Sequence, residues 1–334
     1  MQRVTTKAMH EGLVRVLLKL GFSEERAAVC ARLFTESSRD GVSSHGLNRF
    51  PRFCEMIRNG SIDVDAEPVC VSRSGGFEQW DGKLGPGNLN AFHSMRRAIE
   101  LARSNGLGGV GLRNTNHWMR GGTYGWQAAD AGMIGICWTN TMQNMPAWGS
   151  DEPRLGNGPL VIAIPRSSGH VVLDMSTTQF SYGTLSDHRM RGESLPVAGG
   201  FDVEGNLTTD PGAIETSQRP LPIGYWKGSG LSLVLDMAAA ILSGGRASHQ
   251  ISRDPLREVG LSQVFLAFDP QQLDNAFDAD RLADELIDQL HGSHADSRGE
   301  RVRYPGERTL AARRDNDING MSVDESVWAE ILAM

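Results

Sequence analysis

Cysteine and aromatic residues are sparse in this 334-residue chain: there are four cysteines, and Phe, Trp and Tyr together make up 7%. Cys30, Cys54, Cys70 and Cys137 form no CxxC pair and no framework spacing, which argues against a disulfide scaffold and for buried free thiols in a reducing cytosol. No apolar run is long enough to span a bilayer, so no membrane partner is expected. Arg15 and Lys19 interrupt the N-terminal apolar run, which reads as an amphipathic helix rather than a signal peptide. Positive charge is not in excess: 33 Lys and Arg stand against 40 Asp and Glu, a net charge of -7. The basic residues are scattered and form no aromatic-laced stripe, so no nucleic-acid partner is expected either. HExxH, GxSxG and the GxxxxGK[ST] spacing are all absent. His291 and His294 stand in a polar C-terminal loop and read as solvated, and no metal is expected.

Glycine is what the chain has in excess: 39 of 334 residues, about 12%, against a usual ~7%. These glycines have no collagen period and mostly end apolar runs, the pattern of tight turns or of backbone that approaches a ligand. Residues 1–60 read as helices. Leu13, Leu17 and Leu20 share one face of the first, Ser23 caps a second, and a third ends at Asn59-Gly60. Pro51 either kinks that third helix or marks its start near Phe50. From about residue 68, short apolar runs (PVCVS, GVGLRN, MIGICWT, LVIAIP, HVVLDM) alternate with helical stretches, the signature of an α/β sheet covered on both faces. Residues 192–227 read as a long ordered loop, followed by a strong apolar helix and one more strand, SQVFLAFD.

Gly106 to Gly111 fits GxGxxG letter for letter, but a helix precedes it and a strand follows, the reverse of a dinucleotide loop. It reads as a helix C-cap. Lys227-Gly228-Ser229-Gly230 has the right order, opening an apolar helix with free backbone amides, with Trp226 beside it for stacking. An ordinary Gly/Ser helix start explains it as well. His45 and Arg49, four apart, share a face if helical. Imidazole moves a proton near neutral pH, and guanidinium matches a carboxylate fork. A helix N-terminus there would lower the pKa of His45. The pair suits a carboxylate next to a carbonyl, though a capping His and a solvated Arg would share the spacing. Asn114 to Gly122 follows a buried strand, and polar groups past a strand's carboxyl end often face a ligand. His117, Trp118 and Arg120 stand there as candidates, against a plain Asn-rich turn. Asp174 ends another apolar strand and needs a partner if buried.

The strings SHGLNRFPRF, NTNHWMRGGTYGWQAA, IGICWTNT, the loop from LPV through GGFD to PGAIE, and GYWKGSG together resemble the malate/L-lactate dehydrogenase type 2 family over nearly the whole chain. The resemblance implies an α/β, non-Rossmann NAD-binding fold. A mixed β-sheet core would be flanked by helices, with a helical subdomain built from the N- and C-terminal segments. It divides the chain into an N-terminal helical segment 1–72, a cofactor- and substrate-binding core 73–225, and a C-terminal helical segment 226–334 packing with 1–72. It implies a homodimeric oxidoreductase that uses NADH, with NADPH as the alternative, on a small-molecule 2-oxo acid or related imine. By motif, His45 is the proton donor and Arg49 the carboxylate clamp. Ser44, His117, Trp118, Arg120 and Asp174 line the substrate. His170, Val171, Val172, Leu173, Asp174, Met175, Ser176, Trp226, Lys227, Gly306, Glu307 and Arg308 hold the cofactor. One departure stands out: the family's usual GTNP is Gly156-Asn157-Gly158-Pro159 here. Trp118 and Arg120 favour a longer, hydroxylated sugar acid over malate, lactate or sulfolactate. A sugar-acid-binding protein without turnover is the reading from another class, and the intact His45/Arg49 pair speaks against it.

Overall fold

The computed structural model describes residues 2–273, 278–295, 299 and 301–334. The first helix, Thr6–Lys19, begins where the Thr5 hydroxyl accepts from the Ala8 amide, and it buries Met9, Leu13, Val16 and Leu17. Ser23 caps the second, Glu24–Arg39, with Glu24 and Glu25 in its first turn where the helix dipole favours them. Pro51 kinks nothing. It stands in the first turn of the third helix, Phe50–Arg58, where an amide donor would go unused. Both ends of the chain meet on this helical layer. Strand Gln2–Val4 pairs antiparallel with Met321–Val323. The closing helix, Glu325–Ala333, adds Trp328 and Ile331 to the core formed by Met9, Leu13, Phe34 and Phe50.

Seven strands form one sheet, in the spatial order Val69–Ser74, Phe77–Asp81, Leu107–Asn116, Val259–Phe268, Ile134–Thr139, Leu160–Ile164 and Val171–Met175. Phe77–Asp81 and Leu107–Asn116 run parallel, joined through the crossover helix Gly87–Asn105. The other neighbours are antiparallel, so the sheet is mixed. Helices Gly87–Asn105 and Gly122–Asp130 cover one face over Met95, Val110, Leu112 and Phe265. Helix Trp226–Ser243 covers the other over Trp138, Ala239 and Val264. Cover on both faces is why the strands read as apolar runs.

The sheet divides the chain differently from the expected segments. Strand Val259–Phe268, assigned to the C-terminal helical segment 226–334, lies at the sheet's centre. The boundary at 72/73 falls inside strand Val69–Ser74. Helix Trp226–Ser243 packs on the sheet through Leu235, Ala238, Ala239 and Leu242, not on residues 1–72. The stretch read as a loop carries a hairpin, Gly200–Phe201 with Leu207–Thr208, and a helix, Pro211–Ser217. Leu195 and Ile214 from that stretch close a small core with Leu185.

Gly106 adopts φ 79° and ends helix Gly87–Asn105, so the GxGxxG string is a helix stop. Its later glycines thin the strand for packing. A methyl on Gly108 would run into the Ala98 carbonyl of the helix on one face, and one on Gly111 would come within 2.5 Å of the Leu242 carbonyl on the other. Gly108→Ala is therefore expected to lower stability by about 1–3 kcal/mol through overpacking. A denaturant midpoint equal to that of the parent chain would refute this reading of the glycines.

Candidate active site

His45 and Arg49 do not share one helix. Gly46 presses on the second helix so closely that a side chain there would meet the Ser38 amide at 2.8 Å and the Phe34 carbonyl at 3.0 Å. The chain breaks at that point into two single 3-10 turns, Ser43–His45 and Leu47–Arg49. The Ser38 hydroxyl holds the break by accepting from the Leu47 amide at 2.8 Å. The exposed Ser44 places its Oγ 3.0 Å from His45 Nδ1. His45 faces His117, from the loop after strand Leu107–Asn116, with ring centroids 5.9 Å apart and planes 22° from parallel. His117 Nδ1 accepts from the Met119 amide at 3.0 Å, which fixes the ring proton on Nε2. Asn114, near the end of this strand, and Met119, in the loop after it, hold positive φ angles of 50° and 66°, the kind of backbone conformation that gathers at functional sites.

Charge in the cleft is set for an anion. Burial, then the cations Arg49 and Arg120, push His45 down to about 4. No helix terminus is needed for that shift, which replaces the cause expected from the sequence. Burial, with Arg49, His45 and Arg52, takes His117 well below the usual imidazole range. Arg49 falls to about 10 through burial and the neighbouring Arg52, with Glu258 opposing. The Arg49 guanidinium has no hydrogen bond or ion pair among the described residues. Asp174 accepts from the Gly122 amide at 2.8 Å. Burial raises its pKa against the pull of Arg120 and of that amide. Asp174 is nonetheless open to solvent.

Two residues take other places than expected. Trp118 does not line the cleft: it is 1% exposed, with its ring 5.5 Å from Tyr124 and 5.9 Å from Phe265 in the core between sheet and helix. Its apolar bulk is spent on packing, so it supplies no argument for a long substrate. Arg120 is buried and ion-paired with Asp40. Its charge acts on His45, and its Nε is buried without a partner.

The segments that the resemblance gives to the cofactor meet along one sheet edge. Val171–Met175 is the edge strand. A side chain on Gly306 would come within 3.1 Å of the His170 carbonyl and the Val172 amide, so Gly306-Glu307-Arg308 abuts one end. At the other end, the Ile223 amide donates to the Thr177 carbonyl at 2.8 Å, and a side chain on Gly228 would come within 2.9 Å of the same oxygen. Residues 170–177 thus run from one segment to the next, about 20 Å of extended chain. The His170 ring is committed elsewhere: Nδ1 accepts from the Arg166 amide and Nε2 meets Asp130, both at 3.0 Å. Glu307 is engaged by His291 at 3.1 Å and by the Tyr304 amide, so His291 is not merely solvated. The expected free amides at the start of helix Trp226–Ser243 are tied up: Lys227, Gly228 and Ser229 donate to Gly224, Ile223 and Tyr225. Lys227, Trp226 and Arg308 remain exposed on the edge.

The sequence reading missed Asp40, Arg52 and Arg313. Asp40 had one signal, an acid at the C-terminal end of a helix where the dipole opposes it. Arg52 and Arg313 gave none, because their roles come from residues far away in the chain.

Known proteins resemble this chain over nearly its whole length. The family model described as malate/L-lactate dehydrogenase matches residues 4–332. A 2,3-diketo-L-gulonate reductase of Citrobacter koseri is 48% identical, covering 99% of this chain and 100% of that protein. The solved sulfolactate dehydrogenase of Methanocaldococcus jannaschii superposes with a TM-score of 0.90 at 28% identity, covering 99% of this chain and 95% of that one. The malate dehydrogenase of Pyrococcus horikoshii OT3 gives 0.89 at 27% identity, over 98% and 93%.

The charge arrangement also fixes a pH response. His45 titrates near 4 in the folded chain, against 6.5 for a free imidazole. Between those values the unfolded chain binds a proton that the folded chain refuses, so stability falls as pH drops from 6.5 toward 4. Thermal midpoints across that window are expected to fall less steeply for His45→Asn than for the parent. Superimposable slopes would contradict the assigned burial of His45.

Proposed function

The chain belongs to the malate/L-lactate dehydrogenase family of oxidoreductases, and we propose that it reduces the C2 carbonyl of a 2-oxo sugar acid, 2,3-diketo-L-gulonate to 3-dehydro-L-gulonate, with NADH. The observation that carries this reading is the Arg49 guanidinium, without a hydrogen bond or ion pair among the described residues, close to the stacked and neutral His45–His117 pair. The full-length similarity to a reductase of that name supports the substrate. The edge strand Val171–Met175, with Gly306-Glu307-Arg308 at one end and Trp226-Lys227 at the other, fits an extended dinucleotide. Gly306 and Gly228 let both segments pack closely against residues 170–177, and Lys227 and Arg308 supply positive charge. A nicotinamide bound there supplies the hydride.

The chain's own residues do the rest. Arg49 takes the substrate carboxylate on its fork, which orients the adjacent carbonyl. That carboxylate offsets the positive charge that keeps His45 neutral, so the ring takes up a proton more readily. His45 then gives a proton from Nε2 to the oxygen developing at C2, while Ser44 holds Nδ1. His117, its proton fixed on Nε2, donates a hydrogen bond from the same side.

A second reading, reduction of a smaller 2-oxo acid or oxidation of a 2-hydroxy acid, gains from one observation: Trp118 lies in the core and narrows nothing. NADH and NADPH oxidation over a panel of 2-oxo acids separates the two. The sugar acid with NADH is expected to give the highest kcat/KM. No oxidation of either cofactor on any acid, together with measurable ligand binding, would replace the enzyme by a binding protein. His45→Asn should lower kcat about 10²–10⁴-fold. Arg49→Lys should act mainly on KM, because a point charge cannot copy the fork.

The assembly we propose is a homodimer in the cytoplasm. Helix Trp226–Ser243 leaves Trp226, Val234, Met237 and Ile241 between 52% and 71% exposed, an apolar stripe that a second copy would cover. Free thiols at Cys30, Cys54, Cys70 and Cys137 suit a reducing compartment. Val234→Asp should shift the sedimenting species from dimer to monomer, and an unchanged dimer would move the interface elsewhere.

A further inference from the structure

Gly183 is out of place in its own helix. It stands in the first turn of helix Tyr182–Arg191, which Ser181 caps by accepting from the Thr184 amide at 3.1 Å. Its φ is not positive, so the backbone there suits any residue, and glycine within a helix weakens it. What the missing side chain makes room for is Ser44. A Cβ on Gly183 would stand 3.1 Å from Ser44 Oγ and 3.2 Å from Ser44 Cβ, tighter than side chains ordinarily pack. Ser181 Oγ would be 3.7 Å away, an ordinary contact. Ser44 Oγ in turn lies 3.0 Å from His45 Nδ1. The start of the helix is held in this seat by Tyr182, whose hydroxyl donates to the Asn144 carbonyl at 3.1 Å. The Asn144 side chain is itself bonded twice to Asn157. Behind the helix, Leu185, Leu195 and Ile214 form a small core of their own, with Phe180 and Tyr182 packed against it.

We propose that Gly183 is a positioning residue for proton transfer: by lacking a side chain it lets helix Tyr182–Arg191 close on Ser44, which keeps the Ser44 hydroxyl on His45 Nδ1. A neutral imidazole carries one proton on two nitrogens, and a donor at Nδ1 leaves that proton on Nε2. Nε2 is the atom that would serve the oxygen developing at C2. Ser44 is exposed, and its hydroxyl turns about a single bond, so water competes with His45 for it. The helix seated against Ser44 Cβ and Oγ restricts that rotation before the substrate arrives, and ordering done in advance is not charged to the reaction. Gly183 itself touches neither substrate nor cofactor in this scheme. It acts through Ser44 on His45.

The proposal rests on the reading of His45 as proton donor, and a double-mutant cycle keeps the two apart. The assay is reduction of whichever 2-oxo acid of the panel the parent turns over fastest. Admitting a methyl at Gly183 requires Ser44 to give way by a few tenths of an ångström. Gly183→Ala should therefore lower kcat about 3- to 10-fold, a fraction of the ~10²-fold that a full 1 Å misplacement can cost. KM for the acid and for the cofactor should stay at the parent values, because Arg49 and the sheet edge are untouched. The thermal midpoint should hold or rise, since alanine suits a helix better than glycine. In a Ser44→Gly chain, itself slower than the parent, the same Gly183→Ala change should cost nothing further, because no side chain remains for the methyl to meet. An equal loss in both backgrounds, or no loss in either, overturns the proposal. So does a loss that comes with a lower thermal midpoint and raised KM values, the mark of a merely structural glycine. His45→Asn at the parent kcat would sink the proton-donor reading, and the role of Gly183 with it. A slow His45→Asn beside an additive cycle would sink the role of Gly183 alone.

Discussion

The carboxylate of Asp40 joins three parts of the chain that the sequence keeps far apart. It ends the second helix, where both burial and the helix dipole work against its charge. Hydrogen bonds and charge from Arg313 and Arg120 outweigh the burial and hold its pKa below the ordinary carboxylate value. Arg120 comes from the loop after strand Leu107–Asn116, and Arg313 from helix Glu307–Asn319. The helical layer is thereby fixed against the sheet where His45, on one side, meets His117, on the other. Buried carboxylates of this kind add little net stability, because their desolvation offsets most of the attraction. What this one secures is the relative placement of two layers.

The cleft that results carries a sign opposite to that of the molecule. The chain bears a net charge of -7, yet Arg49 has no hydrogen bond or ion pair among the described residues, and Arg39, Arg120 and Arg313 all meet the Asp40 carboxylate. Burial first, and then this positive charge, keeps both histidines neutral, and the charge is offset when an anion enters. The positive φ angles of Asn114, near the end of strand Leu107–Asn116, and of Met119 after it point the same way. Local cost is tolerated at this site and compensated by packing elsewhere, as functional sites commonly require.

Much of this was legible in the sequence wherever a local rule decided the outcome. Ser23, Pro51 and Gly106 each do what their chemistry prescribes at a helix end. The strands showed themselves as apolar runs because helices cover both faces. What stayed hidden depends on distant neighbours. Gly46 breaks the His45–Arg49 turn because the second helix lies behind it, and spacing alone cannot show that. Trp118 sits among polar residues in sequence but against Tyr124 and Phe265 in space. The order of Lys227-Gly228-Ser229 suggested free amides, and the turn from Ile223 to Tyr225 consumes them.

The departure at Gly156-Asn157-Gly158-Pro159 gains a physical meaning in the same way. A side chain on Gly158 would run into the Thr139 carbonyl, so the larger asparagine usual in the family has no room at this position. Asn157 does not reach for a ligand either. Its Oδ1 accepts from Asn144 at 2.9 Å, and its amide donates back to the Asn144 side chain at 2.9 Å. A polar group that the usual motif would offer is therefore absent, and the loop is closed on itself.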